Sequence, residues 1–339
     1  MSIDTAKSFS DILNSELKKA VVGHDLLIEE LMVALLSGGH MLIEGPPGTG
    51  KTLIVRTLAE CLDLVWGRIQ FTPDLMPSDI TGTYIFDQNK KTWSFRKGPV
   101  FVNVLLADEL NRAPAKTQAA LLEAMEEGAV TLDGRKHDLP KPFLVMATQN
   151  PMEHEGTYPL PESELDRFMF KSIVSDLAKA NEIEMLKRHR DGFDPARLGV
   201  TAGIHRSVDA SGFIRAAAAA EEARVDDSIL EYIVNLVQKT RAWPDLFHGA
   251  GPRAGVHLLR SSRTLAALKG YPFVIPDHVK RMCYPVLRHR LALSPEQEME
   301  GLNTDAVIAG LLETVEVPRK TVEAGSGSGS EKIEGLTIE

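Results

Sequence analysis

The chain has 339 residues, of which 43% are hydrophobic and 25% charged, and a formal net charge of −9. That length allows two domains, and the balance is ordinary for a globular protein. No run of ~18 apolar residues is present, which excludes a membrane-spanning helix; the acidic balance argues against a surface coated throughout with nucleic acid but leaves room for a local basic channel.

In chain order, residues 1–10 lack the basic-then-apolar pattern of a signal peptide. Three short apolar runs, 40–44, 100–109 and 143–150, end in polar residues and read as buried parallel strands. Helical patterns at 52–62 and 114–127 lie between them. Strand alternating with helix predicts a parallel sheet covered on both faces. Ligands of such sheets sit beyond the carboxyl ends of the strands, which is where Gly45, the pair Asp108 and Glu109, and the pair Gln149 and Asn150 fall. Two segments interrupt the alternation as projecting hairpins. Residues 84–95 flank a polar tip at 87–91, and 130–139 contains the turn signal Asp133-Gly134.

Beyond Val174 the strand signals fade, and helices are predicted at 213–224, 227–241, 253–269 and 277–291. The second of these starts with acids and ends with Lys239 and Arg241, which suits the helix dipole. The Gly/Ser alternation at 325–330 reads as a flexible linker. Cys61 and Cys283 form no CxxC pair and fit a reduced, cytosolic setting, and the ten histidines show no zinc-binding spacing.

The strongest chemistry lies at Gly45, Pro46, Pro47, Gly48, Thr49, Gly50, Lys51 and Thr52. These match G-x-x-x-x-G-K-[ST] between an apolar strand and a helix, the context that pattern requires. The glycines let backbone N–H groups approach phosphates, and the helix N-terminus adds partial positive charge. Lys51 is placed to bridge the β- and γ-phosphates and Thr52 to put its hydroxyl on Mg²⁺. Downstream, VLLADE at 104–109 ends an apolar strand in two carboxylates, which is unfavourable unless they have a partner or a task. Asp108 is read as holding Mg²⁺ through water and Glu109 as the general base that polarises the attacking water. The plainer alternative is an acidic pair capping the helix near Pro114. Asn150, in ATQNP, carries both donor and acceptor and can orient that water. The NKxD motif of guanine-specific proteins is not matched by Asn89-Lys90-Lys91-Thr92, so ATP is predicted over GTP.

These motifs, in this order, resemble the AAA+ ATPases and within them the MoxR family. The resemblance runs from about residue 10 to 318. Its specific pieces are FTPDLMPSDITGT at 71–83, GPVFVNVLLADELNRAPAKTQAALLEAMEE at 98–127 and ATQNPMEHEGTYPLPESELDRFMF at 147–170. It implies an α/β fold: an αβα core with a five-stranded parallel sheet at 1–174, a linker and helical lid at 175–318, and a tail at 319–339. The hairpins would be the helix-2 insert, about 84–95, and the pre-sensor hairpin, about 130–139. Val21, Val22 and Gly23 resemble the segment packed against adenine, with His24 where many relatives have Gln. Asn150 stands at sensor I, Arg167 at the arginine finger and Arg253, in GPRAG, at sensor II.

The residues themselves support the two arginines only in part. Arg167 follows Asp166 in a short polar helix, and its rival reading is half of a surface ion pair. A cation in a first helical turn opposes the dipole, so Arg253 calls for a nearby anion; Pro252 fits the first helical position. The rival is a solvated basic stripe with His257 and Arg260. Aromatic alternation at Phe86, Trp93 and Phe95 reads as hairpin packing.

The resemblance further implies ATP and Mg²⁺ as cofactors, a homohexameric ring in the cytoplasm with each site completed by the next subunit, and a protein client carrying a von Willebrand factor A domain whose conformation or metal loading is changed. Two alternatives are a nucleic-acid-translocating ring, against which the acidic balance counts, and the ATPase subunit of a magnesium chelatase.

Overall fold

A computed structural model describes residues 3–46, 48–89, 91–149 and 156–318. Pro47, Asn150 and the Gly/Ser stretch at 325–330 lie outside the described residues. The first half runs α1 (Ile3–Ala20), α2 (Asp25–Ser37), β1 (Met41–Glu44), α3 (Lys51–Leu62), β2 (Trp66–Gln70), α4 (Pro77–Thr81), β3 (Gly82–Asp87), β4 (Thr92–Lys97), β5 (Val104–Asp108), α5 (Ala115–Glu127), β6 (Ala129–Leu132), β7 (Arg135–Asp138), β8 (Leu144–Gln149), α6 (Glu162–Leu165) and β9 (Phe170–Ile173). The second runs α7 (Lys179–Arg190), α8 (Leu198–Thr201), α9 (Ala210–Ala220), α10 (Asp227–Arg241), β10 (Leu246–His248), α11 (Pro252–Leu268), α12 (Pro276–Leu287), β11 (Ala292–Leu293), α13 (Pro295–Met299) and α14 (Thr304–Thr314). Among the described residues no helix is long and apolar enough to cross a membrane.

Five parallel strands form one sheet in the order β2-β5-β8-β1-β9. Successive side chains of a strand point to opposite faces, and here both faces are apolar. Met41, Ile43, Val104, Leu106, Leu144 and Met146 enter one cluster with α1, α2 and α3. Leu42, Leu105, Ala107, Val145 and Ala147 enter a second, against α5. The double burial explains why the three central strands read as continuous apolar runs. The edge strands β2 and β9 are short and mix polar with apolar residues, so the sequence pattern does not show them.

The first cluster continues through Ala216, Leu236, Leu258, Leu265 and Met282, so the helices of the second half share an apolar interior with the sheet. Among its described residues that half is helical apart from the antiparallel pair β10–β11 and a single bridge between Arg224 and Phe273; the two strands are too short to give a periodic signal. Predicted helices begin and end within a few residues of their observed bounds. Asp226 caps α10 by accepting the Ser228 N–H.

Both hairpins form, β3 with β4 and β6 with β7. They meet through side chains: Tyr84 Oη lies 3.1 Å from His137 Nε2, and the Phe95 and His137 rings stack at 4.2 Å. Phe95 is thus packing, whereas Phe86 and Trp93 pair with each other at 5.3 Å and stay exposed.

Candidate functional site

The turn between β1 and α3 opens onto a cavity of about 660 Å³ lined by Gly45, Gly48, Thr49, Gly50, Lys51 and Thr52 from the turn, and by Asp108 and Glu109 from the end of β5. Two backbone features make the turn. A Cβ on Gly45 would lie 2.5 Å from the Val174 carbonyl oxygen, and Gly50, the N-cap of α3, has φ +80°. The first turn of α3 thereby lines the cavity, and its N–H groups have no partner within the helix. The Lys51 ammonium folds back on the turn, donating to Gly45 O (3.2 Å), Pro46 O (2.8 Å) and Thr49 Oγ1 (3.2 Å). Partial burial lowers its pKa, and the carboxylates of Asp108 and Glu109 act in the opposite sense.

The two acids are held by residues from flanking strands. Buried Thr148 on β8 donates to Asp108 Oδ1 at 2.6 Å and accepts the Glu109 N–H at 2.9 Å. That contact supports Glu109 at φ +57°, a conformation uncommon outside glycine. On edge strand β2, Arg68 donates to Asp108 Oδ2 at 2.6 Å and to Gln70 Oε1 at 2.9 Å, and Gln70 donates to Glu109 Oε2 at 2.6 Å. Arg112 adds a contact to the same Glu109 oxygen at 3.2 Å. The acids are thus linked through β2 by a continuous chain of hydrogen bonds. The plainer alternative for the pair, a helix cap, does not hold: α5 begins at Ala115 and Pro114 occupies its N-cap.

A second hollow of about 220 Å³ continues from the turn, lined by Val22, His24, Leu53, Leu177, Met185 and His189 among others. Gly23 sits in the bend before α2. Burial lowers the His24 pKa, while a hydrogen bond to the Thr49 backbone favours its charged form. Arg56 closes one side of the larger cavity by donating to Pro195 O (3.0 Å) and Ala196 O (2.8 Å). Sequence reading missed Thr148, Arg68, Gln70 and this wall. Arg68, Gln70 and the wall residues lie on segments without a motif, and Thr148, though inside the 143–150 run, is an ordinary residue type; each joins the site only through folding.

Arg167 and Arg253 do not line the cavity at the β1–α3 turn. They border a separate hollow of about 220 Å³ beside Gly39, His40 and Glu126. Arg167 lies just beyond α6, not within it. Its Nη1 is 2.9 Å from Glu126 Oε2 and donates to Leu122 O at 3.2 Å. Arg253 Nη2 is 2.9 Å from Glu126 Oε1, and its Nη1 is 3.7 Å from Asp166 Oδ2. The anion that Arg253 calls for is present in cis. The solvated stripe is not what forms: His257 Nδ1 lies 2.8 Å from Arg290 Nη2, and Arg260 donates to Ser37 O. Burial, with Arg290, Arg260 and Arg253 nearby, pushes the His257 pKa down to about 3, so it is neutral and able to accept.

Residues 40–170 match the profile of the family described as "ATPase family associated with various cellular activities (AAA)", and 238–311 match the AAA lid domain. Chaperone MoxR1 of Mycobacterium tuberculosis is 42% identical over 314 residues, covering 90% of this chain and 81% of its own. The uncharacterized protein YeaC of Bacillus subtilis is 42% identical over 303 residues, covering 89% and 92%. The crystal structure of an ATPase candidate from Cytophaga hutchinsonii superposes with a TM-score of 0.85 at 38% identity, covering 93% of this chain and 98% of that one. The chain belongs to the MoxR family of AAA+ ATPases. In this MoxR-family chain the AAA match takes in the phosphate turn, Asp108, Glu109 and Arg167, and the lid match takes in Arg253.

Proposed function

We propose that this chain is a subunit of a homohexameric ring that hydrolyses ATP to ADP and phosphate and uses the cycle to remodel protein clients. The observation that carries this reading is the convergence of Lys51, Thr52, Asp108 and Glu109 on one cavity, while Arg167 and Arg253 stand together on a different face. In this reading residues 1–174 form the nucleotide-binding core, 175–318 the linker and lid, and 319–339 a flexible tail. The two free, buried cysteines suit a cytoplasmic setting.

ATP would place its phosphates on the turn of Gly45, Pro46, Pro47, Gly48, Thr49 and Gly50, with adenine toward Val22 and Gly23. Lys51 would exchange loop oxygens for β/γ-phosphate oxygens, which satisfy the same N–H donors with full negative charge. Asp108 and Thr52 offer hard oxygen donors to the same cavity, and Asp108 already takes a cationic partner, Arg68. That donor set fits Mg²⁺, which binds through one or two carboxylates plus substrate phosphates. Bound there, the ion would neutralise charge on the β- and γ-phosphates. Glu109 accepts a proton from the water that attacks the γ-phosphorus, the bridging oxygen leaves with ADP, and Asn150 orients the water. Arg167 and Arg253 meet the γ-phosphate of the neighbouring subunit, Arg253 acting in trans beside the finger.

Lys51→Ala should abolish tight ATP binding, because Lys51 is the one lysine among the described residues lining the cavity. Calorimetry showing unchanged affinity for ATP would sink the site.

The client in this reading is a protein with a von Willebrand factor A domain. The acidic balance of the chain supports a protein client over nucleic acid, and the exposed Phe86–Trp93 pair offers apolar contact at one hairpin. A ring works only on a client whose affinity differs between nucleotide states. Reversing a client's conformational population takes about 5.5 kcal/mol of differential binding, which several subunits can share. The ATP-trapped Glu109→Gln ring should therefore capture an A-domain protein, and replacing 89–91 with Gly and Ser should weaken the capture. Mass spectrometry that returns DNA-bound or porphyrin-pathway proteins and no A-domain protein would overturn the client while leaving the ATPase.

A further inference from the structure

Glu126 is the point where the two arginines meet. One carboxylate oxygen takes Arg253 and the other takes Arg167, each at 2.9 Å. The arginines come from different parts of the chain, Arg167 from the turn between α6 and β9 and Arg253 from the first turn of α11. Two guanidiniums brought side by side repel each other unless an anion stands between them.

The placement runs against local helix stability on both sides. Glu126 lies in the last turn of α5, where a negative charge opposes the dipole and no basic residue of that turn balances it. Arg253 lies at the positive end of α11. Ion pairs between partly exposed side chains contribute little to folding, and all three of these side chains are partly exposed. Stability therefore does not account for the arrangement, whereas orientation does.

The carrier of Glu126 is firmly fixed. The preceding residue, Met125, is held through its carbonyl oxygen by buried His40 Nε2 at 3.1 Å, while His40 Nδ1 accepts the Val145 N–H at 3.0 Å. Burial lowers the His40 pKa to about 4, which keeps the ring neutral and suits it to donate at one nitrogen and accept at the other. Asp166 completes the frame. It binds Arg290 at 2.7 Å and lies 3.7 Å from Arg253 on its other oxygen, tying the residue before Arg167 to the segment after α12. Each guanidinium gives only part of its donor fork to Glu126, so N–H groups remain for a phosphate oxygen.

Resting on the reading that both arginines act on the neighbouring subunit's nucleotide, we infer that Glu126 is a positioning residue that yokes Arg167 to Arg253, so that the two reach one γ-phosphate as a pair. Glu126 acts through the two arginines it holds. It joins the finger on the core to the arginine on the lid, so that either one placed correctly brings the other with it.

The test is steady-state ATP hydrolysis by the full chain under conditions where assembly is verified, comparing Glu126→Gln, Glu126→Asp, Arg167→Ala, Arg253→Ala and the double and triple combinations. Glu126→Gln keeps the side-chain size and should leave the melting temperature and the ATP affinity of the unassembled chain unchanged. Its kcat should fall about tenfold or more while KM for ATP moves by less than about threefold, the signature of an interaction made at the transition state. Glu126→Asp, which keeps the charge on a shorter arm, should recover part of the loss. The energetic coupling between Arg167 and Arg253 is expected to be about tenfold in the parent background and should vanish in the Glu126→Gln background. Mixing Glu126→Gln with Lys51→Ala subunits should restore turnover, because the lesion lies on the face offered to the neighbour. Full kcat in Glu126→Gln, or coupling that survives it, overturns the inference while the two single arginine variants remain impaired. If Arg167→Ala alone retains full turnover, the trans-acting reading fails and takes this inference with it.

Discussion

Replacing Arg167 with alanine is expected to leave ATP binding by the isolated chain nearly intact and to lower turnover of the assembled protein by up to ~10³–10⁵-fold, the range measured for arginines supplied to phosphoryl-transfer sites. Arg167 is not among the residues lining the phosphate cavity of its own chain; it sits on Glu126 instead. In the proposed ring, a residue so placed is offered to the neighbouring subunit's nucleotide and not to the one on its own Lys51. Mixing Arg167→Ala with Lys51→Ala subunits separates the two possibilities. In an alternating mixed ring, an intact phosphate turn from one subunit meets an intact arginine from the next, and part of the activity returns. Mixtures shown by analytical ultracentrifugation to co-assemble, yet without recovered hydrolysis, would show that Arg167 acts in its own chain or not at all.

The second large effect separates binding from chemistry. Glu109→Gln should retain ATP and slow hydrolysis by ~10²–10⁴-fold, the usual contribution of a positioned general base. Three contacts fix this position: Thr148 on the backbone N–H, and Gln70 and Arg112 on one carboxylate oxygen. An amide is nearly isosteric and can keep contacts as an acceptor, so the local backbone at φ +57° should persist. What is lost is the capacity to take a proton from water. Single-turnover hydrolysis at close to the parent rate would assign water activation to another residue. Because Gln70 also receives Arg68, which binds Asp108, both acids are held in the same network.

The sequence made the phosphate turn legible because its chemistry is local. A strand, a glycine-bearing turn, Lys51 and Thr52 follow one another directly, and the turn must have that conformation for its N–H groups to converge. Asp108 and Glu109 are legible for a similar reason: two adjacent carboxylates at the end of a run as apolar as Val104, Leu105 and Leu106 stand out against burial. Arg68 and Gln70 carry no such signal. Their strand is at the sheet edge and alternates polar with apolar residues, and their meaning comes from lying in register with Leu106 and Asp108. Thr148 is one polar residue in a buried strand, and only parallel pairing beside β5 turns it into the clasp between both acids.

By itself the sequence determined the α/β core, the positions of the phosphate turn and the acidic pair, the two hairpins, and the helical character of the second half, because each follows from spacing along a continuous stretch of chain. The tertiary structure alone decided that Arg167 and Arg253, 86 positions apart in the numbering, share one carboxylate and stand away from the phosphate cavity, and that the apolar interior of the sheet continues into the second half. Both depend on which faces of distant helices meet. Arg253 called for an anion somewhere near the start of α11, and any of the chain's 47 acidic residues could have answered; the packing of α5 against the sheet, with His40 holding Met125, is what brings Glu126 there.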